Sequence, residues 1–153
     1  MIPENLRDNP VASALDDVAA VARFAFNELA IEVEPANILE ALRRVKHDLN
    51  FERLSTVTAV DRYPAEPRFE IVYHLQSIAG KQWLRLKTRV SGENPEIESA
   101  CGVYRSANWY EREVFDLFGV RFLNHPNMTR IMLPDDWVGH PLRKDVPVTG
   151  TRY

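Results

Sequence analysis

Few of these side chains could do chemistry, and their spacing limits what they can do. Glu111 and Glu113 lie two residues apart in WYEREVFDLFG. Paired carboxylates can serve as general acid and base only if they converge on one reacting atom. Residues two apart on a helix point to different sides, so this pair does not converge. His125, Asp135, Asp136 and His140 carry metal-ligating groups. Their intervals match no compact zinc or non-heme iron pattern, and each histidine precedes a proline, which favours extended or turn geometry. Turn-forming hydrogen bonds are the expected role of both histidines. Cys101 could act as a thiol nucleophile with His74 or His125. It falls in an expected strand with no helix N-terminus after it, so it reads as a small buried apolar residue. Arg85, Lys87 and Arg89 recur at every second position and make a basic strand face, expected to form cross-strand pairs rather than to bind nucleic acid. The six glycines are scattered and form neither GxGxxG nor GxxxxGK, so nothing supports a phosphate, flavin or nicotinamide site.

Composition narrows the class further. At 153 residues the chain is one domain with room for a real core. Its 45% hydrophobic and 27% charged residues are ordinary for a globular domain. A net charge of −3 argues against a general nucleic-acid binder. The single cysteine rules out an internal disulfide, points to a reducing compartment, and falls short of the four ligands an iron–sulfur cluster usually needs. The opening MIPENLRDNP has neither a basic n-region nor an apolar h-region, so a secretory signal is not expected. No apolar run approaches the roughly 20 residues that span a bilayer, so membrane association is expected to go through partners.

Positioning elements can be placed from periodicity. Ser13 is expected to cap a first helix, with Asp16 and Asp17 in its first turn and Leu15, Val18 and Ala22 on one face. Residues 29–34 alternate as a strand. Pro35 suits the start of a second helix, with Ile38, Leu39, Leu42 and Val45 at helical spacing. A Thr- and Val-rich strand is expected over 53–62. The clearest hairpin follows, with a turn at Ala79-Gly80. Its apolar faces agree if Leu75 opposes Leu84, Tyr73 opposes Leu86 and Glu70 opposes Arg89. A strand is expected over 97–104. Asn108 with Glu111 resembles a capping box on a third helix. Tyr110, Val114, Leu117 and Phe118 would be its apolar face, Gly119 its stop, and two strand-like pieces would follow. The fold class is therefore α+β: a two-layer sandwich, a largely antiparallel sheet with two or three helices on one face, and an extended C-terminal tail. The domain is expected over 1–133 and the tail over 134–153.

Residues 109–145 are the most informative stretch, because they look like a surface built to fit another protein. The tail PDDWVGHPLRKDVP has three prolines, so it cannot be a helix or a central strand. Trp137 and Leu142 are costly to leave in water, while Arg143 and Lys144 add cationic reach. Such a stiff segment suits docking on a partner at low ordering cost. The residues of the Glu111-Arg112-Glu113 triplet, taken alone, favour solvated helix charge, with Arg112 and Asp116 as i,i+4 neighbours.

The run EREVFDLFGVRF, then HP, RIMLPDDW and GHPLRKD, resembles the 30 kDa subunit family of respiratory complex I, the C subunit of bacterial NADH:quinone oxidoreductases. The match is dense over 69–147 and continuous from about residue 35. The resemblance implies the same α+β fold. It also implies a non-catalytic subunit of the peripheral arm, clasping the large quinone-site subunit and touching iron–sulfur subunits. It reverses the reading of the triplet and implies a partner interface at Glu111, Arg112, Glu113, His125, Arg130, Trp137, His140, Arg143, Lys144 and Asp145. No cofactor is implied on this chain, since flavin and clusters belong to partner subunits. The implied location is peripheral, on the cytoplasmic side of the plasma membrane, with no span and no nucleic acid. Two alternatives are the equivalent subunit of a related membrane-bound hydrogenase or other-donor quinone oxidoreductase, and a stand-alone small enzyme.

Overall fold

A computed structural model describes residues 3–147 and residue 149; the last part of the expected tail, residue 148 and 150–153, lies outside the described residues. The centre is a five-stranded sheet in the order β1 (Ala19–Ala25), β2 (Glu28–Val33), β5 (Gln82–Val90), β4 (Phe69–Ser77), β3 (Arg53–Asp61). All neighbours are antiparallel except β2 and β5, which run parallel. The β4–β5 hairpin has the register that its alternation demands: Leu75 faces Leu84, Tyr73 faces Leu86 and Glu70 faces Arg89. A slip of one residue would turn every leucine outward. A small parallel pair, β6 (Glu96–Glu98) and β7 (Arg121–Leu123), lies beside the main sheet. The class is α+β, as expected.

Three helices, α1 (Pro10–Ala14), α2 (Ile38–His47) and α3 (Ala107–Phe118), bury their apolar residues in one core with the inward row of the sheet. From α2 these are Ile38, Ala41, Leu42 and Val45; of the stripe that predicts the helix, Leu39 is only partly buried against the core. None of the described helices is long and apolar enough to cross a membrane.

Three expectations fail, each for a physical reason. The first helix starts at Pro10, capped by the Asn9 side chain on the amides of Val11 and Ala12, and ends at Ala14. Ser13 is inside it, and Ala22 belongs to β1. This strand lies at the sheet edge and buries only Ala19 and Ala22, so half-exposed alternation imitates a helical interval. Its turn uses positive φ at Phe26 and Asn27, 53° and 63°, as a two-residue hairpin turn requires. The strand expected over 97–104 stops at Glu98. Ser99 accepts the Cys101 amide and starts a 3-10 turn over Ala100–Gly102, so Cys101 is on a turn. Of the two strand-like pieces expected after Gly119 only β7 forms, because the amides of Ile131, Met132 and Leu133 go to the Asp116 side chain instead of a neighbouring strand.

Among the described residues no helix lies over the opposite face of β1, β2, β5 and β4; α3 reaches only its β3 margin, at Thr56 and Thr58. Register places Arg23, Ala30, Arg85 and His74 in one row and Val21, Glu32, Lys87 and Val72 in the next. Glu70 is buried there beneath Arg62, Lys87 and Arg89 at 3.1, 3.2 and 3.4 Å. Arg89 also meets Glu32 at 3.2 Å, and Arg85 pairs with Glu28.

Leu86 is fully enclosed at the centre of the sheet. Leu86→Ala is expected to lower unfolding free energy by about 2–5 kcal/mol through the cavity it leaves, read from the midpoint of a denaturant curve.

Candidate functional site

Helix α3 carries two buried acids, and each organises a different irregular segment. Glu111 is fully enclosed. It accepts the Ala100 amide at 2.6 Å, the Ser99 hydroxyl at 2.6 Å and the Cys101 thiol at 3.4 Å. It therefore stitches α3 to the 3-10 turn and does not cap its own helix. The helix starts after Ser106 with no side-chain cap. No cation offsets the carboxylate, so burial pushes its pKa up to about 7 against those three donors. The nearest ring is His125, with Nε2 3.8 Å away. Nε2 of His125 meets the Asn108 carbonyl at 3.1 Å, and Nδ1 accepts the Asn127 amide at 3.0 Å. Those partners require the neutral tautomer protonated at Nε2. Burial holds the His125 pKa below its usual value.

The Cys101 thiol, the Glu111 carboxylate and the His125 ring lie within 4.8 Å of one another. As a ligand set they fit a metal poorly, because both ring nitrogens and both carboxylate oxygens already have hydrogen-bond partners. Burial raises the thiol pKa to about 11, away from the thiolate a metal or a nucleophile needs.

Asp116 is also enclosed, with the opposite chemistry. Its Oδ2 accepts the amides of Ile131, Met132 and Leu133 at 3.1, 2.7 and 2.9 Å. Arg130 Nη1 meets Oδ1 at 2.5 Å. Burial alone would raise the carboxyl, but the Leu133 amide, Arg130 and the other two amides outweigh it, and its pKa is lowered. Three successive amides on one oxygen form an anion nest, filled here by the protein's own side chain. Arg112 joins the same segment. It donates to the Thr129 and Arg130 carbonyls at 3.1 Å each and lies over the Trp109 ring. Arg112 and Asp116, although i,i+4 neighbours, do not pair; the cation on Asp116 is Arg130.

The tail closes the helix. Gly119 ends α3 at φ 77°, and its amide meets the Phe115 carbonyl. The next three carbonyls have no helical donor. His140 Nδ1 donates to Asp116 O at 2.9 Å, the Leu142 amide to Leu117 O at 3.1 Å and Arg143 Nε to Phe118 O at 2.6 Å. Gly119 is needed twice over: a Cβ there would meet Arg143 Nη2 and lie 2.5 Å from the His140 ring. Beyond it, buried Arg68 holds Asp61 at 2.8–2.9 Å and Asp145 at 2.7–3.0 Å, both through paired bonds. Asp61 also accepts the Lys144 amide at 2.8 Å.

Most of the residues expected at a partner surface therefore have partners within the chain. The side chains of Glu111, Arg112, His125, Arg130, His140, Arg143 and Asp145 are bonded within it, whereas those of Glu113, Trp137 and Lys144 point outward. Of the expected apolar face of α3, Val114 is buried and Tyr110 and Phe118 pack on the core. Leu117 lies half-buried in a slot shared with Thr56, Thr58 and Leu142. Asp135 and Asp136 are exposed, so no cluster forms with either histidine. Sequence reasoning missed Asp116, Ser99 and the Asp61–Arg68 pair. The one available signal was an acid set inside an otherwise apolar helix end, VFDLF.

Around this braced segment lie Trp109, Ile131, Met132, Trp137, Val138 and Leu142, six large apolar side chains that are 36–74% exposed. Arg130 Nη2 donates to the Gly139 carbonyl and so joins the strip bearing Ile131 and Met132 to the one bearing Val138.

Two outcomes follow from the buried acids. Glu111 has a folded pKa of about 7, above that of an unfolded glutamate, so the folded state keeps an extra proton between them. Its stabilising effect is full below the unfolded pKa and is lost as pH rises through about 7, a fall of about 3 kcal/mol. Denaturant curves from pH 5 to 8.5 should show this fall, and Glu111→Gln should remove most of it. Asp116→Ala leaves three amides without an acceptor and Arg130 without its carboxylate, with only the Asp116 and Gly139 carbonyls left to it. It should cost about 2–4 kcal/mol and speed amide exchange at residues 131–133 well before the sheet.

Comparison with known proteins fits this geometry. A family model described as respiratory-chain NADH dehydrogenase, 30 Kd subunit, matches residues 31–152. The C subunit of NADH-quinone oxidoreductase from Citrifermentans bemidjiense is 48% identical over 123 residues, 80% of this chain and 76% of that protein. The subunit of the same name from Geobacter sulfurreducens is 44% identical over 146 residues, 95% of this chain and 87% of its own. Among solved structures, the trypsin-resistant fragment of Nqo5 superposes with a TM-score of 0.63 at 28% identity, covering 69% of this chain and 87% of the fragment. A polypeptide of the membrane-bound sulfane sulfur reductase, an archaeal respiratory membrane complex, superposes with a TM-score of 0.74 at 30% identity, covering 88% and 82%. With its motif, its sheet and these relatives in agreement, the chain belongs to the 30 kDa subunit family of respiratory-chain NADH dehydrogenases.

Proposed function

We propose that this protein is a non-catalytic structural subunit of the peripheral arm of an NADH:quinone oxidoreductase. Electron transfer from NADH to quinone is carried by other subunits. The observation that carries this reading is the braced apolar surface around α3. Six large side chains are exposed there, and the segments that carry Ile131, Met132 and Val138 are bonded through Asp116, Arg130 and Arg112, while the described residues bring together no free, converging set of catalytic side chains. A contiguous exposed apolar patch on a rigid support is the signature of a protein interface. The names of the relatives support the identity of the assembly.

Within this reading the large quinone-site subunit takes the α3 surface and the tail, and iron–sulfur subunits lie alongside. The protein sits peripherally on the cytoplasmic side of the membrane and holds no flavin, metal or cluster of its own. Elemental analysis and a visible spectrum of the purified protein test the last point. A second reading, the equivalent subunit of a complex with another electron donor, is favoured by the likeness to the sulfane sulfur reductase polypeptide. The set of co-purifying subunits separates the two.

Trp137→Ala with Val138→Ser alters only outward side chains and leaves the His140–Asp145 strap in place. Loss of a central aromatic anchor should weaken capture of the quinone-site subunit by about 2 kcal/mol, roughly thirty-fold, with the melting temperature nearly unchanged. Undiminished capture in a detergent pulldown would remove the tail from the interface.

A further inference from the structure

We propose that the uncovered face of the five-stranded sheet is a second docking surface, and that its occupant is an acidic protein segment of the same assembly. The inference rests on the proposed membership of that assembly. It concerns the side of the sheet opposite the helices and the tail.

Charge carries the argument. Strand parity and the ion pairs put Arg23, Arg53, Arg62, Arg85, Lys87 and Arg89 on this face. The carboxylates there are Glu28, Glu32 and Glu70. Six cations against three carboxylates leave an excess of three positive charges, on a protein whose net charge is −3. The glutamates are already shared: Glu70 alone serves three of the cations. Arg23 and Arg53 have no ion pair among the described residues, and the Nε donor of Arg85 is buried without an acceptor, while that of Arg89 reaches only Glu32 at 3.2 Å. A folded protein seldom leaves such a donor as Arg85 Nε unsatisfied. The pKa of His74, in the middle of the face, is lowered first by burial and then by the positive field of Arg85, with Glu28 opposing and Lys87 adding a lesser push.

Local chemistry selects the occupant. Val72 is buried beneath the long cationic side chains, and Val21 and Trp83 are about half exposed at the margins. A segment with spaced carboxylates and some apolar side chains matches this mixture, because arginine forks take carboxylates in pairs while their stems cover apolar surface. A nucleic-acid backbone matches it less well. Its continuous phosphates would meet Glu28, Glu32 and Glu70 as well as the cations.

The test uses the complex purified through a tag on the full-length protein. Val21 and Arg23 both project from the edge strand onto this face, exposed and outside its ion pairs. Val21→Glu with Arg23→Glu should reduce at least one co-purifying subunit about ten-fold, whereas Val21→Lys with Arg23→Lys should hold its yield. Both variants carry the same bulk, so only the sign of charge differs, and thermal melts of each free protein check the fold. On the wild-type complex, a zero-length carbodiimide should join Lys87 to an aspartate or glutamate of that subunit. Equal losses in both variants, an undiminished Glu variant, or Lys87 joined only to its own Glu70 would overturn the proposal. So would a partner released by nuclease, which would assign the face to nucleic acid. If the wild-type protein captures no oxidoreductase subunit at all, the assembly reading itself fails. If wild type and Glu variant assemble alike, only this surface fails.

Discussion

Three backbone carbonyls at the end of helix α3 have no donor in the helix, and much of what this protein presents to a partner depends on how they are met. The backbone turns sharply at Gly119 and returns some twenty residues later to supply His140, the Leu142 amide and Arg143. An irregular, proline-broken segment is thereby fixed in place without secondary structure of its own. The same return brings Asp145 onto Arg68 and the Lys144 amide onto Asp61, tying the strap to the edge of the sheet. The described part of the tail, to residue 147, is therefore no loose arm. It is pre-ordered, and a partner docking on its outward side chains meets little of the entropy cost of ordering a free peptide.

The two acids of α3 show how environment divides one chemistry into two roles. Asp116 has a guanidinium and three amides, stays charged and acts as an anchor for the segment after β7. Glu111 has a hydroxyl, a thiol and one amide but no cation, and burial drives it toward the protonated form. Neither side chain meets solvent, but Glu111 lies deeper and Asp116 alone has a cation, and both differences push their pKa values apart. His125 beside Glu111 could have balanced it, but both its nitrogens are held by backbone groups and it stays neutral.

The sheet likewise separates two tasks. Its inward rows of leucine, isoleucine and tyrosine receive the helices and make the core. Its outward rows are a lattice of cations and shared glutamates, which keeps the face hydrated in the free protein and leaves it electrostatically unfinished. A domain with one face in the core, one end braced by a strap and one face charged can touch several neighbours at once. That accords with the structural role proposed above.

The regular elements and the family were legible in the sequence, because each rests on short-range periodicity or on a contiguous motif. The alternation over residues 69–90 dictates the hairpin down to its residue pairs, the stripe from Ile38 to Val45 dictates α2, and Gly119 dictates the end of α3. The edge strand β1 was misread because only two of its side chains are buried, too few for a period to show. The destinations of the charged residues were decided by the tertiary structure alone. Glu111 finds Ser99 twelve residues back, Asp116 finds Arg130 fourteen residues on, and Arg68 finds Asp145 seventy-seven residues away. A hydrogen bond between distant side chains leaves no periodic trace. A carboxylate in a helix reads the same whether it faces water, an amide nest or a partner until the fold closes around it.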